Sequence, residues 1–252
     1  MACTTFSRDS CPICYSTAYT KEIGAHRLCS KCGALWQYEG GLQNRDIWFE
    51  EQRGALPETR LPDFHRADSK IQATVKGCYR NEYALRYAEA LRATGISAAP
   101  NRTYLEIGFG GCQALILAAS ETWGRCVGIE IDWRYVLFAR ERGIEAYYAR
   151  VETGEGVPPN LLGAADVITA SEVMEHMLNP ALFLTGAIDL MKPDGKLWLS
   201  FAQRPGNPAD VHSGEWQYWS VEAIEYLMHK VGLEIFNLRD CWLSYLVAAH
   251  RI

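Results

Sequence analysis

The chain has 252 residues, 48% hydrophobic and 22% charged, a globular composition that excludes a disordered or fibrous protein. Its net charge is −5, with 12 basic and 19 acidic groups in residues 93–252 and near neutrality before them, so a basic face for a nucleic-acid backbone is not expected. No run approaches the ~20 apolar residues of a membrane span, and the opening MACTTFSRDSC lacks the basic start and apolar core of a secretory signal. A cytoplasmic protein is expected, with no membrane partner. In that compartment nine cysteines point to metal ligation or free thiols rather than disulfides.

In chain order, the first feature is Cys11-Pro-Ile-Cys14, fourteen further residues, then Cys29-Ser-Lys-Cys32. Each C-x₂-C turn can present two thiolates to one ion, and two such turns complete a tetrahedral site. A module of this size rarely holds a core without a staple. Structural zinc contributes an apparent ~10–16 kcal/mol, so Cys11, Cys14, Cys29 and Cys32 are expected to bind one zinc in a closed, structural shell. Residues 1–43 are taken as this zinc-ribbon-like module. Residues 44–77 form an irregular connecting segment broken by Pro57 and Pro62. Trp48, Phe49, Phe64, Tyr79 and Tyr83, which precede the glycine loop, are either lid or core residues, with core packing the default.

From residue 78 the pattern is regular. Ala84, Tyr87, Ala88 and Leu91 mark one helical face stopped by Gly95. Thr103–Ile107 reads as a strand, followed by a glycine cluster and a helix from Gln113 to Glu121. Cys126–Glu130 is a second strand, Trp133–Arg142 a helix, Ile144–Tyr148 a third strand, and Ala165–Ala170 a fourth. Asn179-Pro180 opens a helix to Met191. Lys192–Gly195 is a turn before a fifth strand, Lys196–Phe201. Ser220 caps a helix ending at Gly232, and strands near Leu233–Arg239 and Ser244–His250 close the chain. This alternation predicts an α/β, doubly wound, mostly parallel sheet with an antiparallel closing pair.

Glu106-Ile-Gly-Phe-Gly-Gly-Cys112 follows the first of these strands, where glycines let the backbone approach a ligand at a helix N-terminus. Glu130 ends the next strand, where a carboxylate can accept from two ribose hydroxyls. The nicotinamide fingerprint G-x-G-x-x-G is not met, since Gln113 stands where its last glycine would fall.

On YLEIGFGGC, VGIEID, ADVITASEVMEHMLNP and LMKPDGKLWLSF, residues 78–252 resemble the class I S-adenosylmethionine-dependent methyltransferases. The whole chain is similar to the subgroup that places a Cys₄ zinc module first, as in sugar C-methyltransferases and related tailoring enzymes. The third glycine of the family's loop is displaced here to Gly111, before Cys112. The resemblance implies a Rossmann-like seven-stranded sheet with S-adenosylmethionine as cofactor and S-adenosylhomocysteine as product. It further implies that the backbone of Gly108, Phe109, Gly110 and Gly111 passes the methionine moiety, with Glu106 supporting its amino group. Glu130 would hold the ribose, Ile131 would pack on the adenine, Glu152 would meet the adenine amine, and Ser171 would line the sulfonium region.

A methyl acceptor that carries a proton needs a base near the C-terminal ends of the strands. His176 and His212 qualify by position. Helical geometry would set Glu172 one turn before His176 as an orienting group, with Glu175 as a second candidate base. Trp216, Tyr218 and Trp219 are either a substrate wall or core. A small-molecule acceptor, a sugar or biosynthetic intermediate, is the expected partner. An RNA methyltransferase gripping its substrate through the zinc module is a second reading, opposed by the charge distribution; the segment Ala170-Ser-Glu-Val173 also lacks an Asn-Pro-Pro-Tyr tetrad. A cofactor-binding protein without transfer activity is a third.

Overall fold

The computed structural model describes residues 10–23, 26–37, 82–177, 179–203, 217–241 and 244–252. The connecting segment 44–77, Tyr79, His212 and Trp216 lie outside the described residues. No described helix is long and apolar enough to cross a membrane.

The N-terminal strands β1 (Tyr19–Ile23), β2 (His26–Cys29) and β3 (Leu35–Gln37) form an antiparallel meander. Next comes helix α1 (Glu82–Thr94). Its buried face runs through Tyr87, Ala90, Ala93 and Thr94, while Leu91 is half-buried and Ala88 is exposed. The apolar stripe is thus rotated from the expected one, because the alanines that pack on Trp198 and Ala248 set which side is covered.

β4 (Thr103–Ile107), β5 (Arg125–Glu130), β6 (Glu145–Tyr148), β7 (Ala165–Ala170) and β8 (Met191–Ala202) follow, with β10 (Leu233–Cys241) and β11 (Ser244–Arg251) at the end. They make a seven-stranded sheet in the order β10-β11-β8-β7-β4-β5-β6. β4 through β8 pair in parallel, and β11 enters antiparallel to both β8 and β10. This is the doubly wound, Rossmann-like sheet with an antiparallel last strand. β8 begins at Met191 rather than after a separate turn: its pairing with β7 jumps from Met191 to Lys196, so Lys192–Gly195 bulges out of one continuous strand.

Helices α2 (Gln113–Ala119) and α3 (Trp133–Arg140) cover one face. There Leu115, Val136 and Phe138 pack with Tyr104 and Val167. Helices α4 (Pro180–Leu190) and α5 (Val221–Lys230) cover the other, where Phe183, Leu184, Ile224 and Leu227 pack with Leu105 and Ile168. Strand alternation explains the partition, since successive side chains of β4 point to opposite layers. Helices α3, α4 and α5 start at side-chain caps: Asp132 accepts from the Arg134 amide, Asn179 from Leu182 with Pro180 at the first turn, and Ser220 from Ala223.

The cysteine meander docks on this body. The short strand β9 (Gln217–Tyr218) pairs antiparallel with β3, giving a second sheet ordered β1-β2-β3-β9. Cys11, Cys14, Cys29, Cys32 and Trp36 belong to the same buried cluster as Trp219, Ile224 and Leu227. The Ser220 hydroxyl donates to the Cys32 carbonyl at 2.8 Å, and the Lys230 ammonium lies 3.5 Å from the Tyr15 ring centroid.

Candidate functional site

The glycine loop leaves β4 and turns sharply. Gly108 and Gly110 have φ of 71° and 43°, and Cys112, at the start of α2, has φ of 69°. A Cβ on Gly108 would lie 2.5 Å from Val173 Cγ2, whereas one on Gly110 would meet nothing within 4 Å. The first glycine is needed for close packing under the segment after β7, and the second presents an open face. Between them Phe109 is buried. Its ring sits where a Cβ on Gly128 of β5 would come within 2.5 Å of it, so the bare backbone of β5 seats the loop.

Two carboxyls lie beneath this loop. Glu106, on β4, is 6% exposed, and its Oε2 has no hydrogen-bond partner among the described residues. Burial, helped by the nearby charge of Glu130, raises its carboxyl to about 8. Glu130, at the end of β5, accepts from the Gly110 amide at 2.9 Å, from Ile131 at 2.7 Å and from Asp132 at 3.1 Å. Burial also raises the Glu130 carboxyl, although these three amides oppose it. The bond to Gly110 ties the loop to β5, a role that the spacing of the motifs does not reveal. Ile131 is half-buried beside the Asp132 cap, and Glu152, after β6, forms an ion pair with Arg150 at 3.7 Å.

Beyond β7 the structure departs from expectation. Glu172 has φ of 54°, in the left-handed region, and the helical turn spans only Met174–His176 as a 3₁₀ turn. Glu172 and His176 are therefore not one helical turn apart, and Glu172 is not the group that orients His176. Its Oε1 instead accepts from Arg86 Nη1 of α1 at 3.0 Å, Ser200 Oγ of β8 at 2.9 Å and Ser244 Oγ of β11 at 3.3 Å. Ser171 accepts from the same Arg86 nitrogen at 2.5 Å and lies 3.5 Å from the Ser200 hydroxyl. Arg86, Ser200 and Ser244 escaped the sequence reading because three separate elements bring them together and no spacing connects them.

Glu175 is buried and His176 half-buried on the 3₁₀ turn. The Gln217 amide nitrogen donates to the carbonyls of Met174 and Met177, at 2.7 and 2.8 Å, on either side of that pair. Tyr218 and Trp219 are buried in the core, Trp219 packing edge-on against Phe201 at 4.9 Å between ring centroids.

At the N-terminus the four Sγ atoms of Cys11, Cys14, Cys29 and Cys32 all lie within 4.8 Å of one another, in buried positions. Cys11 and Cys32 are 3.6 Å apart, and Cys14 and Cys29 3.4 Å. Zn–S bonds of about 2.3 Å at tetrahedral angles place sulfurs about 3.8 Å apart, so the cluster fits that ion with small adjustments. The thiols compete for charge. The Cys32 hydrogen bond and burial push Cys11 far up, burial pushes Cys14 up to about 11, and the hydrogen bond with Cys11 draws Cys32 down to about 6.

A doubly wound sheet with a glycine loop over two buried carboxyls, at the C-terminal ends of its strands, is the frame of a nucleotide-type cofactor site. Residues 79–238 match the methyltransferase domain family, and the chain belongs to it. It is similar to the ubiquinone biosynthesis O-methyltransferase of Xanthomonas axonopodis pv. citri, at 30% identity over 104 residues, which is 40% of this chain and 43% of that protein. The chain thus spans less than half the length of that curated relative. Among solved structures it resembles geranyl diphosphate C-methyltransferase from Streptomyces coelicolor A3(2), at TM-score 0.57 and 14% identity over 74% of this chain and 86% of that one. It also resembles 1,6-didemethyltoxoflavin-N1-methyltransferase from Burkholderia thailandensis, at TM-score 0.55 and 12% identity over 88% and 97%. At these identities the structural likeness establishes the fold.

Proposed function

We propose that this protein transfers a methyl group from S-adenosylmethionine to a small-molecule acceptor. The observation that carries the reading is the buried Glu106 carboxyl with an unpartnered oxygen beneath an open glycine loop, in a chain of the methyltransferase domain family. A buried acceptor atom without a donor is costly, and a cofactor ammonium is the kind of group that would relieve it. Bound there, the cofactor supplies a methyl group on a positively charged sulfur. Gly108–Gly111 would pass the methionine moiety, Glu130 would hold the ribose hydroxyls, Ile131 and Glu152 would meet the adenine, and Ser171 would border the transferred group. The relatives' names, which point to ubiquinone biosynthesis, 1,6-didemethyltoxoflavin and geranyl diphosphate, support a small-molecule acceptor.

For the chain's own chemistry, His176 takes the acceptor's proton, with Glu175 beside it. An imidazole carries a ring nitrogen that can accept a proton, which fits it for that task. Cys11, Cys14, Cys29 and Cys32 hold a structural zinc whose shell is complete, leaving no coordination position for substrate.

Calorimetry with S-adenosylhomocysteine tests the cofactor: binding is expected, and preference for NADH overturns the reading. Loss of His176 should lower turnover by ~10²–10⁴ with cofactor affinity unchanged. If His176→Ala keeps more than about a third of wild-type turnover, His176 is not the base.

A further inference from the structure

We propose that Gln217 is a positioning residue through which the four-cysteine module holds the turn bearing Glu175 and His176. The inference rests on the proposed catalytic role of that pair, and its observations are geometric. Gln217 is 1% exposed, and its amide nitrogen bonds to the Met174 and Met177 carbonyls, which bracket the two side chains. Within the turn, the His176 amide donates to the Val173 carbonyl at 3.0 Å and the Met177 amide to the Met174 carbonyl at 3.3 Å.

The strand that carries Gln217 is itself fixed from the module's side. Gln217 is the register partner of Trp36 and Tyr218 that of Leu35, so β9 is the outer strand of the cysteine sheet. The second cysteine knuckle closes with the Gly33 amide on the Cys29 carbonyl at 3.1 Å and leads directly into β3. Just past β9, Ser220 donates to the Cys32 carbonyl. A continuous path of backbone pairing and buried hydrogen bonds therefore runs from the metal-ligating cysteines to the turn after β7. Just past β9 the Trp219 amide also donates to the Ala202 carbonyl of β8 at 2.9 Å, so loss of order in the knuckle leaves that tie and removes β3, the strand whose register aims the Gln217 amide. The module on this reading is part of the active-site scaffold and not a separate docking piece.

The experiment is residue-resolved amide hydrogen exchange on the full chain, in four states: wild type and Gln217→Leu, each as purified and after removal of metal by a chelator. Gln217→Leu keeps the bulk and removes both donors. Exchange at the His176 and Met177 amides is expected to rise roughly tenfold or more in Gln217→Leu, as loss of two buried hydrogen bonds implies. Amides of β4 and β5, zinc content and S-adenosylhomocysteine affinity should stay at wild-type levels. Metal removal from the wild type should raise exchange at the same two amides, and in Gln217→Leu should add nothing further there. An unchanged pair of amides in the demetallated wild type overturns the proposal, as does a uniform rise that includes β4 and β5. If Gln217→Leu fails to fold, the wild-type arm alone decides. The catalytic reading stands apart: full turnover in His176→Ala would withdraw it and leave the exchange result intact.

Discussion

At the scale of single residues, the environment of Glu106 changes its chemistry. Its carboxyl is raised from an ordinary 4.5 to about 8, so the folded chain holds the proton more tightly than the unfolded one. Its contribution to stability is therefore complete below about 4.5 and is lost as pH rises through about 8. Glu106→Gln removes the ionisation, so its melting temperature should exceed that of the wild type above pH 8 by a margin that closes towards acid. Scanning calorimetry across pH reads this directly; an equal pH slope in both proteins would contradict it. A cofactor ammonium beside Glu106 favours the charged form, so wild-type affinity for S-adenosylhomocysteine should rise through the same window and level off, while Glu106→Gln stays flat. Glu130 couples ligand and loop, because the carboxylate proposed for the ribose also holds the Gly110 amide. Glu130→Ala should weaken cofactor binding by roughly tenfold to a hundredfold, the equivalent of about 1.5–3 kcal/mol. Unchanged affinity in calorimetry would remove the ribose assignment.

At the scale of elements, close approach overrides intrinsic preference. Gly186 sits inside α4, where replacement by alanine ordinarily gains about 1 kcal/mol of helix propensity. Here the added Cβ would lie 2.1 Å from the Val151 carbonyl oxygen, a backbone atom with no rotamer through which to retreat. Overpacking of this kind costs about 1–3 kcal/mol, so the sign reverses. Gly186→Ala should lower the midpoint of chemical denaturation, and a stabilised variant would show that α4 is free to slide. The same logic explains the loop. Gly128 leaves room on β5 for the Phe109 ring, so the glycine loop is held from below by a missing side chain.

At the scale of the whole molecule, the cysteine module and the sheet behave as one body. They share a buried apolar cluster, and β9 joins the module's sheet from a point 180 residues further along the chain. Elemental analysis should find one zinc per chain, and chelation should lower the melting temperature of the full chain as one cooperative transition. Two separated transitions would show that the module and the sheet unfold independently, and a folded module with four free thiols and no metal would show that the cluster does not bind zinc.

The sequence by itself was enough to place the core of each of the seven strands in the large sheet and of the five helices beside it, the glycine loop with its two carboxylates, and the paired cysteines. Each is written in residues near one another: a period of two or 3.6, a cap beside its helix, ligands at fixed spacing. Local pattern records that a face is buried but not what buries it. The tertiary structure decided that α1 turns Tyr87, Ala90 and Ala93 inward, that β9 completes the cysteine sheet, and that Glu172 faces Arg86, Ser200 and Ser244 rather than His176. Those partners lie 86, 28 and 72 residues from Glu172. A hydrogen bond between groups so far apart exists only once the fold has brought helix α1 and the ends of β8 and β11 beside the turn after β7, and no spacing along the chain encodes it.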